Sequence, residues 1–192
     1  MKNYLTWVAA ICIGLAGNAG AQTVKSEKGT VSFYSTAPLE NIDATSQDLV
    51  SVLDASTGEI VFSVAMKSLA FKNKKMQEDF NENFMESEKY PKASYKGKIN
   101  EKIDLSKDGN YKVTSTGTLT IHGVSKQRTD TTTLVVKNGK ATLKGQFWVH
   151  VADYQIKIPT IVFYHIAENV KVTFETIYPA EGEQQGIGHK GK

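Results

Sequence analysis

Histidine side chains are the groups in this sequence best suited to acid–base chemistry near neutral pH or to metal binding. The chain has four, His122, His150, His165 and His189, and each lies in a different segment. A metal site needs several ligands that converge, and no two of these histidines have the paired spacing of such a site. The sequence therefore predicts no metal site.

Motifs for nucleophilic catalysis are absent as well. The sequence contains no Gly-x-Ser-x-Gly turn of the kind that presents a catalytic serine. A Ser-His-Asp site stays open, because its members converge only in space. The acidic segment "EDFNENFMESE" lacks the order of ligands of a calcium loop, and a solvated helix face is the better interpretation. We expect a protein that is not an enzyme and uses no cofactor.

His122 lies at the end of an alternating segment, "GTLTIHGVSK", between Ile121 and Gly123. Histidine is among the residues that tolerate a positive φ angle in turns, and glycine adopts one without strain. The pattern predicts a hairpin bend with His122 as a turn residue. A contact at the rim of a binding site and a chemical role are the alternatives.

The first 21 residues have the pattern of a secretory signal peptide. Lys2 is the early positive charge, an apolar run covers about 5–15, and "AGA" at 19–21 forms a cleavage site. We predict cleavage after Ala21 and export of the mature protein to the periplasm or the medium. An uncleaved anchor helix is the alternative, but the run is short for a membrane span and is followed by glycines.

The mature chain that this cleavage leaves has 171 residues (192 − 21), enough for one domain with a sizeable core. Its net charge is 22 − 20 = +2, and its lysines are spread thinly, which excludes a nucleic-acid footprint. Cys12 is the only cysteine, so cleavage leaves no disulfide and no thiol nucleophile. No later segment is apolar enough to span a membrane.

The elements that must position these side chains are mostly strands. Apolar and polar residues alternate in segment after segment, and turn residues such as Asn138-Gly139 separate them. The pattern predicts eight antiparallel strands in a closed barrel or sandwich. The predicted strands cover 30–36, 49–53, 59–67, 93–100, 111–121, 129–137, 141–151 and 169–178.

One segment has helical spacing. In "NKKMQEDFNENFMES", Met76, Phe80 and Phe84 form a single apolar stripe, which predicts a helix packed across the mouth of the barrel. The segment 157–170 is apolar without alternation and predicts a loop with a short helix. Residues 22–179 thus form the predicted domain, and 180–192 form a polar, glycine-rich tail that we expect to be mobile.

The inward positions of five predicted strands carry no charge and include small residues, namely Gly97, Ser115, Gly117 and Gly145. Small inward residues can leave room for an elongated apolar ligand. The alternative is that these glycines relieve curvature or face large neighbours. The candidate lining residues are Phe62, Val64, Met66, Phe80, Phe84, Tyr95, Val113, Gly117, Leu119, Leu143, Gly145, Phe147, Val172 and Phe174.

Three motifs, in order, resemble the YceI-like family of exported, lipocalin-like bacterial proteins. They are "NENFMESEKYPKASYKGKI", "GNYKVTSTGTLTIHGVSK" and "GQFWVHVADYQIKIP", within a match over about 29–178. The resemblance implies an eight-stranded antiparallel barrel around an apolar tunnel, with one or two short helices near its mouth. The start, "GTVSFYSTAPLENIDA", departs from the family's Trp-containing strand and His-Ser segment.

The same resemblance implies binding of a polyisoprenoid, an isoprenoid quinone or a similar long amphiphile, and no catalytic residues. The expected partner is thus an apolar lipid, with no nucleic acid and no membrane-spanning segment in the mature chain. An envelope structural or adhesion barrel with a filled core is the alternative function. A lipid hydrolase is less favoured, because no nucleophile is recognisable.

Overall fold

A computed structural model describes residues 23–36, 41–157 and 167–179 of the 192-residue chain. The predicted signal peptide at 1–21, most of the predicted loop and helix at 157–170, and the predicted tail at 180–192 lie outside the described residues. His165 and His189 lie outside them too.

Within the described residues, eleven strands form a single antiparallel sheet. The sheet is interrupted by a 3₁₀ turn at Met66–Ser68, a helix α1 at Lys74–Asp79, a π turn at Phe80–Phe84 and a 3₁₀ turn at Val151–Tyr154. The strands are β1 (Thr23–Lys25), β2 (Lys28–Ser35), β3 (Ile42–Ser46), β4 (Val50–Asp54), β5 (Glu59–Ala65), β6 (Ala70–Phe71), β7 (Lys92–Ile99), β8 (Gly109–Ile121), β9 (Val124–Lys137), β10 (Lys140–His150) and β11 (Asn169–Tyr178).

The strand order is β1-β4-β5-β7-β8-β9-β10-β11-β2-β3-β6. Strand β1 pairs with β4 at one end of this order, whereas β2 pairs with β11 near the other end. Only Ser26 and Glu27 separate β1 from β2, so the chain itself joins the two ends. The backbone amide of Glu27 donates to the carbonyl oxygen of Ile177 at 2.8 Å. The sheet therefore curls round into a barrel.

The predicted all-β, lipocalin-like barrel class is confirmed, but the strand count of eight was too low. The eight predicted strands correspond to β2, β4, β5 and β7–β11. The three missed strands are short: β1 has three residues and β6 has two. Strand β3 reads "IDATS", and its small inward residues Ala44 and Ser46 give little apolar alternation. Strand β9 also begins at Val124, earlier than the predicted 129.

The predicted helix is shorter and less regular than its apolar stripe indicated. The side-chain oxygen of Asn73 accepts from the backbone amide of Lys75 at 2.8 Å and caps α1. At Phe80 the helix widens into the π turn, in which the amide of Met85 donates to the carbonyl of Phe80 at 2.8 Å. This widening buries Met85 beside Phe84. Regular helical spacing had predicted Phe84 on the apolar stripe but not Met85.

One half of the barrel interior is filled. Its buried cluster includes Leu53, Ile60, Ile99, Leu134 and Val136, all close to fully buried. The side chain of Tyr111 is exposed, although Tyr111 alternates in phase with the buried Val113 of β8. Two further buried clusters surround the other half, where the candidate site lies.

Candidate functional site

The unfilled half of the barrel encloses a cavity of about 220 Å³. Its wall consists mainly of apolar side chains from β2, β5, β7, β8, β10 and β11, together with the helical segment. A concave and largely apolar site of this kind fits hydrocarbon better than a polar metabolite.

Ten of the fourteen candidate residues line this cavity. These ten come from the helical segment and from strands on opposite sides of the barrel, which the fold brings together. They are Phe62, Val64, Met66, Phe80, Phe84, Tyr95, Leu119, Phe147, Val172 and Phe174.

The other four candidates do not line the cavity. Val113 and Leu143 point inward, but they lie in the filled half, where each is nearly fully buried. A Cβ atom on Gly117 would lie 2.5 Å from the backbone oxygen of Lys96, and one on Gly145 would lie 2.7 Å from Cγ2 of Thr132. These glycines therefore permit close packing and create no free volume, contrary to our expectation.

An aromatic layer separates the two halves of the interior. The ring of Phe174 lies 5.2 Å from that of Phe62 and 6.4 Å from that of Phe147, and Phe62 lies 6.2 Å from Tyr95. Phe62, Tyr95 and Phe174 also pack against the filled cluster. We call Phe62, Tyr95, Phe147 and Phe174 the aromatic floor, because they form the end of the cavity that faces the filled core.

A second aromatic group lies at the helical segment. Phe80 stacks on Phe33 with ring centroids 5.4 Å apart, and Phe71 lies 5.0 Å from Phe80. Phe84 and Met85 line the cavity from the same segment. The helical segment thus covers one side of the cavity, in agreement with its predicted place at the barrel mouth. Phe33 and Met85 were missed from the sequence, although Phe33 alternates with Val31 in β2.

Two charged residues, Arg128 and Asp130, also line the cavity. Neither was predicted from the sequence. The Arg128 guanidinium donates through Nε to Asp130 Oδ2 and through Nη2 to Asp130 Oδ1, the latter at 2.7 Å. The two side chains are only 18% and 20% exposed. The Arg128 guanidinium also lies 4.2 Å from the ring centroid of Phe147, within the range of a cation–π contact.

The ion pair lies where the barrel wall is incomplete. Strands β9 and β10 pair only from Lys140–Lys137 to Lys144–Thr133. Beyond that point β9 continues to pair with β8, and β10 continues to pair with β11. We call the resulting gap, between residues 124–132 of β9 and 145–150 of β10, the seam. Arg128 spans it with a long hydrogen bond of 3.5 Å to the backbone oxygen of Trp148.

The phenols of Tyr95 and Tyr154 lie close enough to Arg128 and Asp130 to interact with their charges. Burial raises the pKa of Tyr95, although the hydrogen bond that its hydroxyl donates to Ser115 at 3.2 Å acts to lower it. Burial also raises the pKa of Tyr154, and the neighbouring charge of Arg128 opposes that shift. Burial alone would lower the pKa of Arg128, but the hydrogen bonds and charge of Asp130 outweigh it and raise the pKa. Arg128 is therefore a cation and both phenols are neutral at physiological pH.

His122 is a turn residue, as predicted. Its φ angle is +51° and that of Gly123 is +74°, so both adopt the left-handed conformation of a tight hairpin between β8 and β9. Its ring is nevertheless buried, with Nδ1 3.2 Å from the backbone oxygen of Tyr154 and the ring 4.3 Å from that of Tyr90. The imidazole therefore ties the hairpin to the turn that follows β10, and it does not line the cavity.

In the part of the chain that the structure describes, no three His, Cys, Asp or Glu side chains are grouped so as to hold a metal ion. No helix there is long and apolar enough to cross a membrane.

An antiparallel barrel with an internal apolar cavity is a lipocalin-like fold. A family model described as the YceI-like domain matches residues 22–178, so the chain belongs to the YceI-like family. Comparison with curated protein sequences gave no match.

Solved structures show the same fold at low sequence identity. A polyisoprenoid-binding domain from Saccharophagus degradans, implicated in plant cell wall breakdown, superimposes with a TM-score of 0.70 at 14% identity and covers 84% of this chain and 99% of its own. BcnA of Burkholderia cenocepacia gives a TM-score of 0.64 at 16% identity, covering 78% and 95%. The YCEI protein of Campylobacter jejuni gives 0.51 at 18% identity, covering 94% and 100%. At these identities the similarity establishes the fold.

Proposed function

We propose that this protein is a non-catalytic carrier that binds the hydrocarbon chain of one isoprenoid or similar long amphiphile inside its barrel, after export from the cytoplasm. The observation that carries the proposal is the apolar cavity between the aromatic floor and the helical segment. The polyisoprenoid-binding neighbour with the same fold supports it.

Burial of hydrocarbon supplies the driving force. Each buried methylene group contributes about 0.8 kcal/mol, and ordering of the flexible chain offsets part of the sum. The cavity of about 220 Å³ is smaller than the roughly 300–1,000 Å³ of drug-sized ligand sites. A long chain therefore enters completely only if part of the lining moves.

The helical segment is the part of the lining best suited to move. Each strand is held by backbone hydrogen bonds to its neighbours, whereas α1 and its π turn lie against the barrel through side chains such as Met76, Phe80 and Phe84. We expect a long ligand to displace Phe80 and Phe84 from the cavity before it displaces any strand.

Extraction with organic solvent, followed by mass spectrometry, tests the proposal on protein purified from its own host. Ala93 lines the cavity, so an Ala93→Leu variant fills space that the ligand needs. Ala65 is an exposed residue of β5, and Ala65→Leu is the matched control. We expect lipid from the wild type and the control, and much less from Ala93→Leu.

The filled-barrel alternative makes the opposite prediction. A folded wild type that yields no lipid, and that binds no neutral apolar dye, would show that the cavity has no ligand. A structural role in the envelope would then be the better explanation.

A further inference from the structure

The ion pair at the seam places two charges in the cavity wall, which a cavity that binds only hydrocarbon does not need. Among the described side chains that line the cavity, Arg128 and Asp130 are the only charged ones. They lie on the inward face of β9, two residues apart, and are mostly buried. Burying two charges costs free energy even when they are paired, and apolar residues of similar size are often as stable or more stable.

The pair has hydrogen-bonding capacity to spare. Asp130 accepts from Nε and from one Nη2 hydrogen of Arg128, and the bond from Nη1 to Trp148 is long at 3.5 Å. The Tyr154 hydroxyl lies within hydrogen-bonding reach of the same guanidinium and takes up one further donor. A guanidinium has five N–H donors, and each carboxylate oxygen can accept more than one hydrogen bond. The pair therefore offers a donor and an acceptor side by side at the edge of the apolar cavity.

The position of the pair fits the polar end of an amphiphile. The wall is interrupted beside it, at the seam, where β9 and β10 run on without a ladder between them. Phe147 and the rest of the aromatic floor lie directly next to Arg128. A chain buried against the floor would place its head group at the seam.

The charge of the pair limits which head groups fit. The charges of Arg128 and Asp130 cancel, so an uncharged head group meets no net repulsion. A phosphate or carboxylate would instead contact the Asp130 carboxylate, and a like charge placed close by in a partly buried site is strongly unfavourable.

We propose that Arg128 and Asp130 form a head-group site at the seam, which selects amphiphiles with an uncharged hydroxyl or carbonyl head over those with a phosphate or carboxylate. This inference rests on the proposed function, because it assumes that the cavity holds the apolar tail.

The test compares a short isoprenoid alcohol with the monophosphate of the same alcohol, by displacement of a neutral, apolar fluorescent dye. We expect the wild type to bind the alcohol at least about tenfold more tightly. Asp130→Asn leaves the Arg128 cation without its counter-charge, so the preference should move towards the monophosphate by at least about tenfold. Asp43→Asn is the matched control, because Asp43 pairs with Lys72 on the surface at 3.3 Å.

A second variant guards against misfolding of the first. Arg128→Met with Asp130→Leu replaces the pair by apolar residues of similar size, a change that cores often tolerate. This double variant should keep dye binding and thermal stability but bind the alcohol more weakly, because the donor and acceptor for its hydroxyl group are gone. If the double variant binds the alcohol as tightly as the wild type does, the pair does not contact the head group and the proposal is wrong.

The outcomes separate this inference from the proposed function. If dye and alcohol bind but Asp130→Asn does not change the preference, the head-group site is wrong and the carrier function stands. If the wild type binds neither the dye nor the alcohol, the carrier function fails, and the head-group site fails with it.

Discussion

Gly117→Ala should destabilise the barrel. Gly117 of β8 is paired directly with Gly97 of β7. A Cβ atom at Gly117 would lie against the Cα atom of Gly97, 2.5 Å from the backbone oxygen of Lys96 and 2.8 Å from the ring of Tyr95. Optimal carbon contacts lie at about 3.5–4.0 Å, so the overlap is about 1 Å. Backbone atoms cannot turn aside as a side chain can, and the two strands must separate.

The expected cost follows from two opposing terms. Overpacking of a tight site costs about 1–3 kcal/mol. Replacing glycine by alanine recovers about 0.4–1 kcal/mol by restricting the unfolded chain. The net loss at Gly117 should therefore be about 1–2 kcal/mol, and each 1 kcal/mol lowers the melting temperature by about 2–4 °C in a chain of this size.

Gly109→Ala is the matched control, since it lies in the same strand and receives the same methyl group. The nearest atoms to its Cβ would belong to the ring of Tyr111, an exposed side chain that can rotate away. The assay is thermal melting by circular dichroism, together with extraction of bound lipid. If Gly117→Ala melts with the wild type, β7 and β8 do not approach as closely as described. If it keeps its stability but loses lipid, Gly117 makes room for ligand after all.

Three further groups give predictions. The hydroxyl of Tyr178 lies 2.6 Å from Oγ of Ser51 in the filled half, so Tyr178→Phe should cost about 1–3 kcal/mol in urea unfolding, and an unchanged midpoint would refute this. Burial raises the pKa of Tyr178, so both states are neutral below about pH 10, and above it the unfolded state ionises first. The free energy of unfolding should then fall with rising pH, less steeply in Tyr178→Phe. His122→Asn should keep fold and ligand, since asparagine tolerates positive φ; loss of lipid with an unchanged spectrum would contradict the turn role. N-terminal sequencing of exported protein should begin at Gln22, and a retained Met1 would overturn the predicted cleavage.

The strands were predictable where one face of the strand is apolar and the other is polar. In β10, the inward residues Ala141, Leu143 and Val149 alternate with polar ones, so the sequence identified both the strand and its inward face. The barrel closure was not predictable in the same way. It depends on β1 and β2, which pair with different partners although only two residues separate them.

The charged pair was missed because pattern reasoning assigns charges to the solvent. Arg128 and Asp130 have the same parity in β9 as Leu134 and Val136, which are buried. That parity was visible, but the strand was predicted to begin at 129, which left Arg128 outside it. Opposite charges two residues apart on an apolar face satisfy each other, and this spacing is the signal that would have found them.

The glycines were misread for a related physical reason. A missing side chain leaves a cavity only if no neighbour fills the space, and a sequence does not show the neighbours. Here the Tyr95 ring covers Gly97 and Gly117, and Phe174 with Thr132 covers Gly145. The glycines thus determine where the aromatic floor lies.

This position of the floor divides the barrel into two halves with different tasks. In the filled half, Leu53, Ile60 and Leu134 are close to fully buried and well packed, so this half supplies most of the hydrophobic stabilisation. The unfilled half contains an ion pair, an incomplete ladder between β9 and β10, and free volume, and each of these lowers stability. The protein can tolerate these features in the unfilled half because the filled half is stable. Ligand binding can therefore involve movement of the helical segment and the seam while the filled half keeps the barrel folded.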